Sequence, residues 1–87
     1  MTSIEWQPKA FRQLREIASE EMRIAIYDAV QPLAAWPSRN ADVKKMPDRD
    51  SYRLLVGFYQ VAFDIDQNGS SIVITITQVE KQNEITS

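Results

Sequence analysis

The stretch SYRLLVGFYQVAFDIDQNGSSIVITITQV, from Ser51 to Val79, decides the fold. Tyr52, Leu54 and Val56 alternate with Arg53 and Leu55, the period-two pattern of a strand with one face buried. Gly57-Phe58 offers a turn. Tyr59, Val61, Phe63 and Ile65 then alternate with Gln60, Ala62 and Asp64. Asn68-Gly69 follows and reads as a type I′ hairpin turn, which needs positive φ at both central residues. The run Ser71 to Thr77 is almost wholly β-branched, a composition that suits a central strand. These residues specify an antiparallel sheet, and the residues before them are expected to cover it.

Working outward, the periodicity changes near Val43, from 3.6 residues before it to two after it. Ile4 and Trp6 mark a short N-terminal strand, expected at a sheet edge. Pro8 stands where the first turn of a helix tolerates proline. Ala10, Phe11, Leu14, Ile17 and Ala18 form one helical stripe. Ser19 is placed to cap a second helix, and Glu20 and Glu21 suit its positive end. Met22, Ala25, Ile26, Ala29, Val30 and Leu33 continue the apolar stripe. Pro32 cannot donate to the Asp28 carbonyl, so the last turn should kink or end early. Trp36-Pro37 stops any helix. The two helices should form a hairpin across one face of the sheet. Ser38 to Asp42 is a polar connector, Val43 to Met46 a short extended segment, and Pro47 to Asp50 a turn. Glu80 to Ser87 is a polar tail without periodicity. The expected class is α+β, with an N-terminal strand and a two-helix hairpin packed on a twisted antiparallel sheet.

The chemistry open to this chain is limited by what it lacks. Its 87 residues suffice for one core, so residues 1–87 are read as one domain. There is no cysteine, which removes disulfides, thiolate catalysis and cysteine-ligated zinc. There is no histidine, so any acid–base chemistry falls to Lys, Tyr, Asp, Glu or Arg. No apolar run reaches the ~20 residues of a membrane-spanning helix, so no membrane span is expected, and the N-terminus lacks a basic-then-apolar signal segment. The net charge of −2 counts against a dedicated nucleic-acid binder. The charge is segregated, however. Five basic residues (Arg39, Lys44, Lys45, Arg49 and Arg53) stand against three acidic ones over 39–53, whereas 60–87 holds four acidic residues and Lys81 alone.

The ordered set of segments resembles the RelE/ParE toxin superfamily of bacterial toxin–antitoxin systems. The matching segments are Ile4-Glu5-Trp6 with Lys9-Ala10, then Leu33-Ala34-Ala35-Trp36-Pro37, then Val43-Lys44-Lys45-Met46. Tyr52-Arg53-Leu54 with Val56-Gly57 and Tyr59 follows, and Ile74 to Lys81 closes the set as a terminal strand. The resemblance implies a small cytoplasmic toxin neutralised by a cognate antitoxin, and through it linked to operator DNA. It also implies a RelE-like mRNA interferase that acts on the ribosome without a cofactor, by 2′-OH attack on the adjacent phosphate. That reaction needs a base for the 2′-OH, cations for the crowded phosphate and an acid for the 5′-oxygen. Lys44, Lys45, Arg53 and Lys81 are the candidate catalytic residues.

The chain departs from the family pattern where the chemistry would be. Family members commonly read Tyr-Arg-Leu-Arg-Val-Gly-x-Tyr-Arg; this chain keeps Arg53 but has Leu55 and Gln60 at the later arginines. Gln82 stands where a catalytic arginine is expected, and no tyrosine follows. Loss of one transition-state electrostatic donor typically costs ~10²–10³ in rate. Three functions therefore compete: an attenuated mRNA interferase, a catalytically silent member that acts by antitoxin binding and operon autoregulation, and a ParE-like gyrase inhibitor. Simpler roles compete residue by residue. Lys44 and Lys45 would also serve as edge-strand lysines that block aggregation, and Arg53 as an ordinary surface charge. Tyr59 shares the parity of Val61 and Phe63 and is read as core. Asp64 and Asp66 flank a turn without further ligands at metal-binding spacing.

Overall fold

The computed structural model describes residues 1–36, 43–46 and 51–82. In chain order it runs β1 (Thr2–Trp6), α1 (Pro8–Arg15), α2 (Glu20–Val30), a 3₁₀ turn (Gln31–Ala35), β2 (Val43–Lys45), β3 (Ser51–Val56), β4 (Tyr59–Asn68) and β5 (Ser71–Lys81). All five strands form one sheet, in the order β1-β5-β4-β3-β2. The α+β architecture is the expected one. The connector over 38–42, the turn over 47–50 and the tail over 83–87 lie outside the described residues.

One side of the sheet carries the core. Leu54, Val61, Phe63, Ile74, Ile76 and Val79 face Ala10 and Leu14 of α1, Ile17 of the link between the helices, Ile26 and Val30 of α2, and Leu33 of the 3₁₀ turn, all of them buried. Pro8 opens α1 in its first turn, and Ser19 caps α2 by accepting the Met22 N–H at 3.2 Å. α1 stops at Arg15, short of the expected Ala18, and the Arg23 guanidinium donates to the freed Ile17 carbonyl. Pro32 acts as expected: the α-helix ends at Val30, and the chain tightens into the 3₁₀ turn. Trp36 then takes the extended conformation that a following proline demands, with ψ 139°.

Three features differ from the sequence reading. First, the sheet is mixed, because β1 pairs parallel with β5 while every other pair is antiparallel. The register sets Ile4 beside Ile74 and Trp6 beside Ile76, so the strand's apolar side joins the core face. Second, the β4–β5 hairpin loop is Gly69-Ser70, one residue later than expected. Asn68 stays in the ladder opposite Ser71, and Gly69 alone carries positive φ, +66°. Positive φ at only the first central residue is the type II′ condition, not type I′. The β3–β4 loop has the same pattern, with φ +58° at Gly57. Third, β5 extends through Glu80 and Lys81, which lack strand periodicity and read as tail by pattern, although the resemblance places them at the end of the terminal strand.

The far end of β5 needs help from a helix. β1 stops pairing at Trp6 opposite Ile76, so among the described residues no strand flanks Val79 on that side. The Gln13 side chain of α1 fills the place, accepting the Val79 N–H at 2.8 Å. Gln13→Leu keeps the bulk but orphans this part-buried donor, which typically costs about 1–3 kcal/mol. Urea titration should show that loss with an unchanged m-value; a loss below about 0.5 kcal/mol would mean that water replaces the glutamine.

Candidate polar-face site

Among the described residues, the helices pack on one side of the sheet and leave its other side uncovered. Directly paired residues of an antiparallel ladder project from the same face, so the register assigns each candidate to a side. Arg53 opposes Ala62 on β4 and Lys44 on β2, and Gln60 opposes Glu80. Lys44, Arg53 and Gln60 therefore share the uncovered polar face. Lys45 opposes Tyr52, and Lys81 opposes Tyr59; both tyrosines pack against the core. Lys45 and Lys81 thus belong to the helix side, and the fold does not gather the four candidate cations. Tyr59 is half-buried against the core, as its parity indicated.

A chain of side-chain hydrogen bonds crosses the polar face. Arg53 Nη1 donates to Gln60 Oε1 at 3.3 Å, and Gln60 Nε2 donates to Glu80 Oε1 at 3.3 Å. Gln78 Nε2 donates to the other carboxylate oxygen of Glu80 at 3.2 Å. Arg53, Ala62, Thr77, Gln78 and Glu80 line a shallow cleft of about 110 Å³. Towards the opposite end of β3, Ser51 donates to Asp64 at 2.6 Å. Asp64 is thereby occupied as an acceptor, and among the described residues no cluster of three metal-binding side chains occurs.

Gln82 works at the edge of this face. Its backbone N–H donates to the Phe58 carbonyl at 2.7 Å, and its side-chain amide donates to the carbonyls of Gly57 at 2.9 Å and Tyr59 at 3.2 Å. It closes the β3–β4 turn, and its donors are spent on backbone.

Glu80 and Gln78 were not singled out from the sequence. The signal for them was a parity break. Ile72, Ile74 and Ile76 alternate, but the next buried residue is Val79, an odd step. The register shift between Ala62 and Phe63 makes that step, with Ala62 opposite Gln78 and Phe63 opposite Ile76. A bulge of this kind re-aims the side chains beside it. Here Thr77 and Gln78 both line the cleft, and Thr77 donates to the Ala62 carbonyl at 3.3 Å.

The arrangement offers one guanidinium, one carboxylate, two amides and the nearby Lys44. It can bind through hydrogen bonds. For phosphoryl chemistry it supplies less positive charge than a phosphate-cleaving site wants, because Glu80 lines the same cleft as Arg53.

No protein-family model matches the sequence, and the curated proteins yield no match. Solved structures do match. A chain of an archaeal RelE–RelB complex from Pyrococcus horikoshii OT3 superimposes with a TM-score of 0.77 at 18% identity, covering 95% of this chain and 97% of that one. A YoeB/ParE toxin from Agrobacterium tumefaciens gives 0.75 at 9% identity, covering 93% and 99%. A chain of the chromosomal ParDE system from P. aeruginosa gives 0.71 at 17% identity, covering 95% and 98%.

Proposed function

On the RelE/ParE toxin fold that this chain has, we propose that it is the toxin member of a type II toxin–antitoxin system, with attenuated RelE-like mRNA cleavage. The observation that carries the attenuation is the tie from Arg53 through Gln60 to Glu80. A guanidinium with one of its N–H groups held by an amide oxygen is less free to grip phosphate in a bidentate fork. Lys44 is then the remaining cation on this face among the candidate residues. The protein would act in the cytoplasm on ribosome-bound message, and reach operator DNA only through its antitoxin.

Antitoxin binding rests on different surfaces. Phe11 on α1 and Ile24 and Tyr27 on α2 are large, apolar and about half exposed. β1 and β2 are the sheet edges, where an added strand finds backbone partners. A ligand present at about a hundredfold its Kd stabilises the folded state by about 2.7 kcal/mol. For a domain of this size that raises Tm by roughly 10–20 °C. The expected result is that a co-encoded small protein co-purifies with this chain and produces that rise. If it does neither, the toxin reading fails.

The activity test is induced expression in bacteria without antitoxin, with translation and DNA replication followed separately. Slight or no translation arrest with normal replication is expected. Strong translation arrest would sink the attenuation. Replication arrest would place the target with gyrase, the third function weighed above.

A further inference from the structure

We infer that Glu80 is the residue that sets how tightly the polar face holds RNA, and that it weakens the grip of a face otherwise able to bind it. The inference deepens the toxin reading, on which it rests for the assumption that this face meets the target. It starts from how the donors are spent. Both oxygens of Glu80 are used, one by the Gln60 amide at 3.3 Å and one by the Gln78 amide at 3.2 Å. These amides are donors that could otherwise grip a phosphate oxygen. Gln60 passes the effect on, because its own oxygen holds the Arg53 guanidinium at 3.3 Å. One exposed carboxylate thus takes two amides and indirectly orients the cation.

Charge acts in the same direction. Arg53 and Glu80 line one cleft, so a phosphate that approaches the guanidinium also approaches the carboxylate. Like charges brought together at a binding surface are strongly disfavoured, and this is a common way to exclude a partner. Gln60 and Glu80 are directly opposed in the ladder, so the arrangement belongs to the register of the sheet. Nothing in the core depends on the carboxylate, which is exposed at the end of β5.

The test is fluorescence anisotropy with a labelled single-stranded RNA of about 12 nucleotides, at about 50 mM and about 200 mM salt. The proteins are the full chain, Glu80→Gln, Glu80→Lys and Arg53→Gln/Glu80→Gln. Glu20→Gln, an exposed change on α2 with the same effect on net charge, serves as control. Glu80→Gln should bind about tenfold more tightly than the unchanged chain at the lower salt, and Glu80→Lys more tightly still, with gains that shrink as salt rises. Adding Arg53→Gln should cancel the gain of Glu80→Gln, and Glu20→Gln should produce none. No gain in either Glu80 variant overturns the inference. So does an equal gain in Glu20→Gln, because net charge alone would then explain it. So does a gain that survives loss of Arg53. The toxin reading stands or falls separately, on antitoxin co-purification and on arrest during expression.

Discussion

Phe63→Ala should lower the unfolding free energy by about 3–5 kcal/mol, the range for truncating a fully buried phenylalanine. Phe63 has no exposure and lies on β4, the middle strand of the sheet. Its ring stacks on Tyr52 at 5.6 Å and meets Trp36 edge-on at 5.9 Å, and Tyr52 meets Trp36 at 5.1 Å. The three rings join two strands to the end of the helical layer. Truncation leaves a cavity and removes two aromatic pairs, each typically worth about 0.5–1.5 kcal/mol beyond area burial. A chain this short is typically stable by only about 4–13 kcal/mol in all. Chemical denaturation of Phe63→Ala should therefore show either a much lower midpoint or a partly unfolded protein in buffer. Phe58→Ala is the matched control, since Phe58 is 68% exposed in the β3–β4 turn and should shift stability by no more than about 0.5 kcal/mol. A loss below about 1 kcal/mol at Phe63 would mean that the aromatic cluster does not hold the layers together.

The same residues show what can be read from the chain alone. Parity along β3 and β4 identifies the core side at once, because each hydrophobic residue out of phase would face solvent. Tyr52, Leu54, Val61 and Phe63 all fall on the helix side for that reason. Ser19 and Pro32 act through local chemistry, an oxygen for an unpaired N–H and a missing donor, and local chemistry transfers directly from sequence to structure. Features fixed by distant partners were not legible. The direction of β1 depends on which edge of β5 is free, some 70 residues away. The turn at Gly69 was displaced because Asn68 gains a ladder position opposite Ser71.

The candidate site was legible in its faces and not in its contacts. Parity alone placed Arg53 and Gln60 away from the core, and the structure has them hydrogen-bonded to each other. It did not place Lys45 and Lys81 on the helix side, because that requires the register with Tyr52 and Tyr59. Nor did it place Glu80, whose orientation follows from a one-residue shift in β5. Sites built across strands depend on register, and one irregularity re-assigns every residue beyond it.

The register also decides how cleavage activity should be restored. Gln60→Arg with Gln82→Arg returns the two guanidinium groups that the family pattern implies. Glu80, however, lies directly opposite residue 60. An arginine there meets the carboxylate at hydrogen-bonding range and forms a pair with it, as Gln60 already does at 3.3 Å. At position 82 a longer cation must leave the Gly57 and Tyr59 carbonyls, or stay on them and remain at the turn. The double variant should therefore gain mRNA cleavage, and adding Glu80→Gln should raise it much further. Each electrostatic donor restored near the transferring phosphate is typically worth ~10²–10³ in rate. Primer extension on ribosome-bound message, with growth after induction as the second readout, should rank the chain as it stands lowest, the double variant above it and the triple variant highest. All three changes are at the surface or the strand end, and thermal denaturation should find each protein folded. Strong cleavage by the unchanged chain would show that the missing arginines are not needed. A folded triple variant no better than the unchanged chain would show that the polar face is not where message is cut.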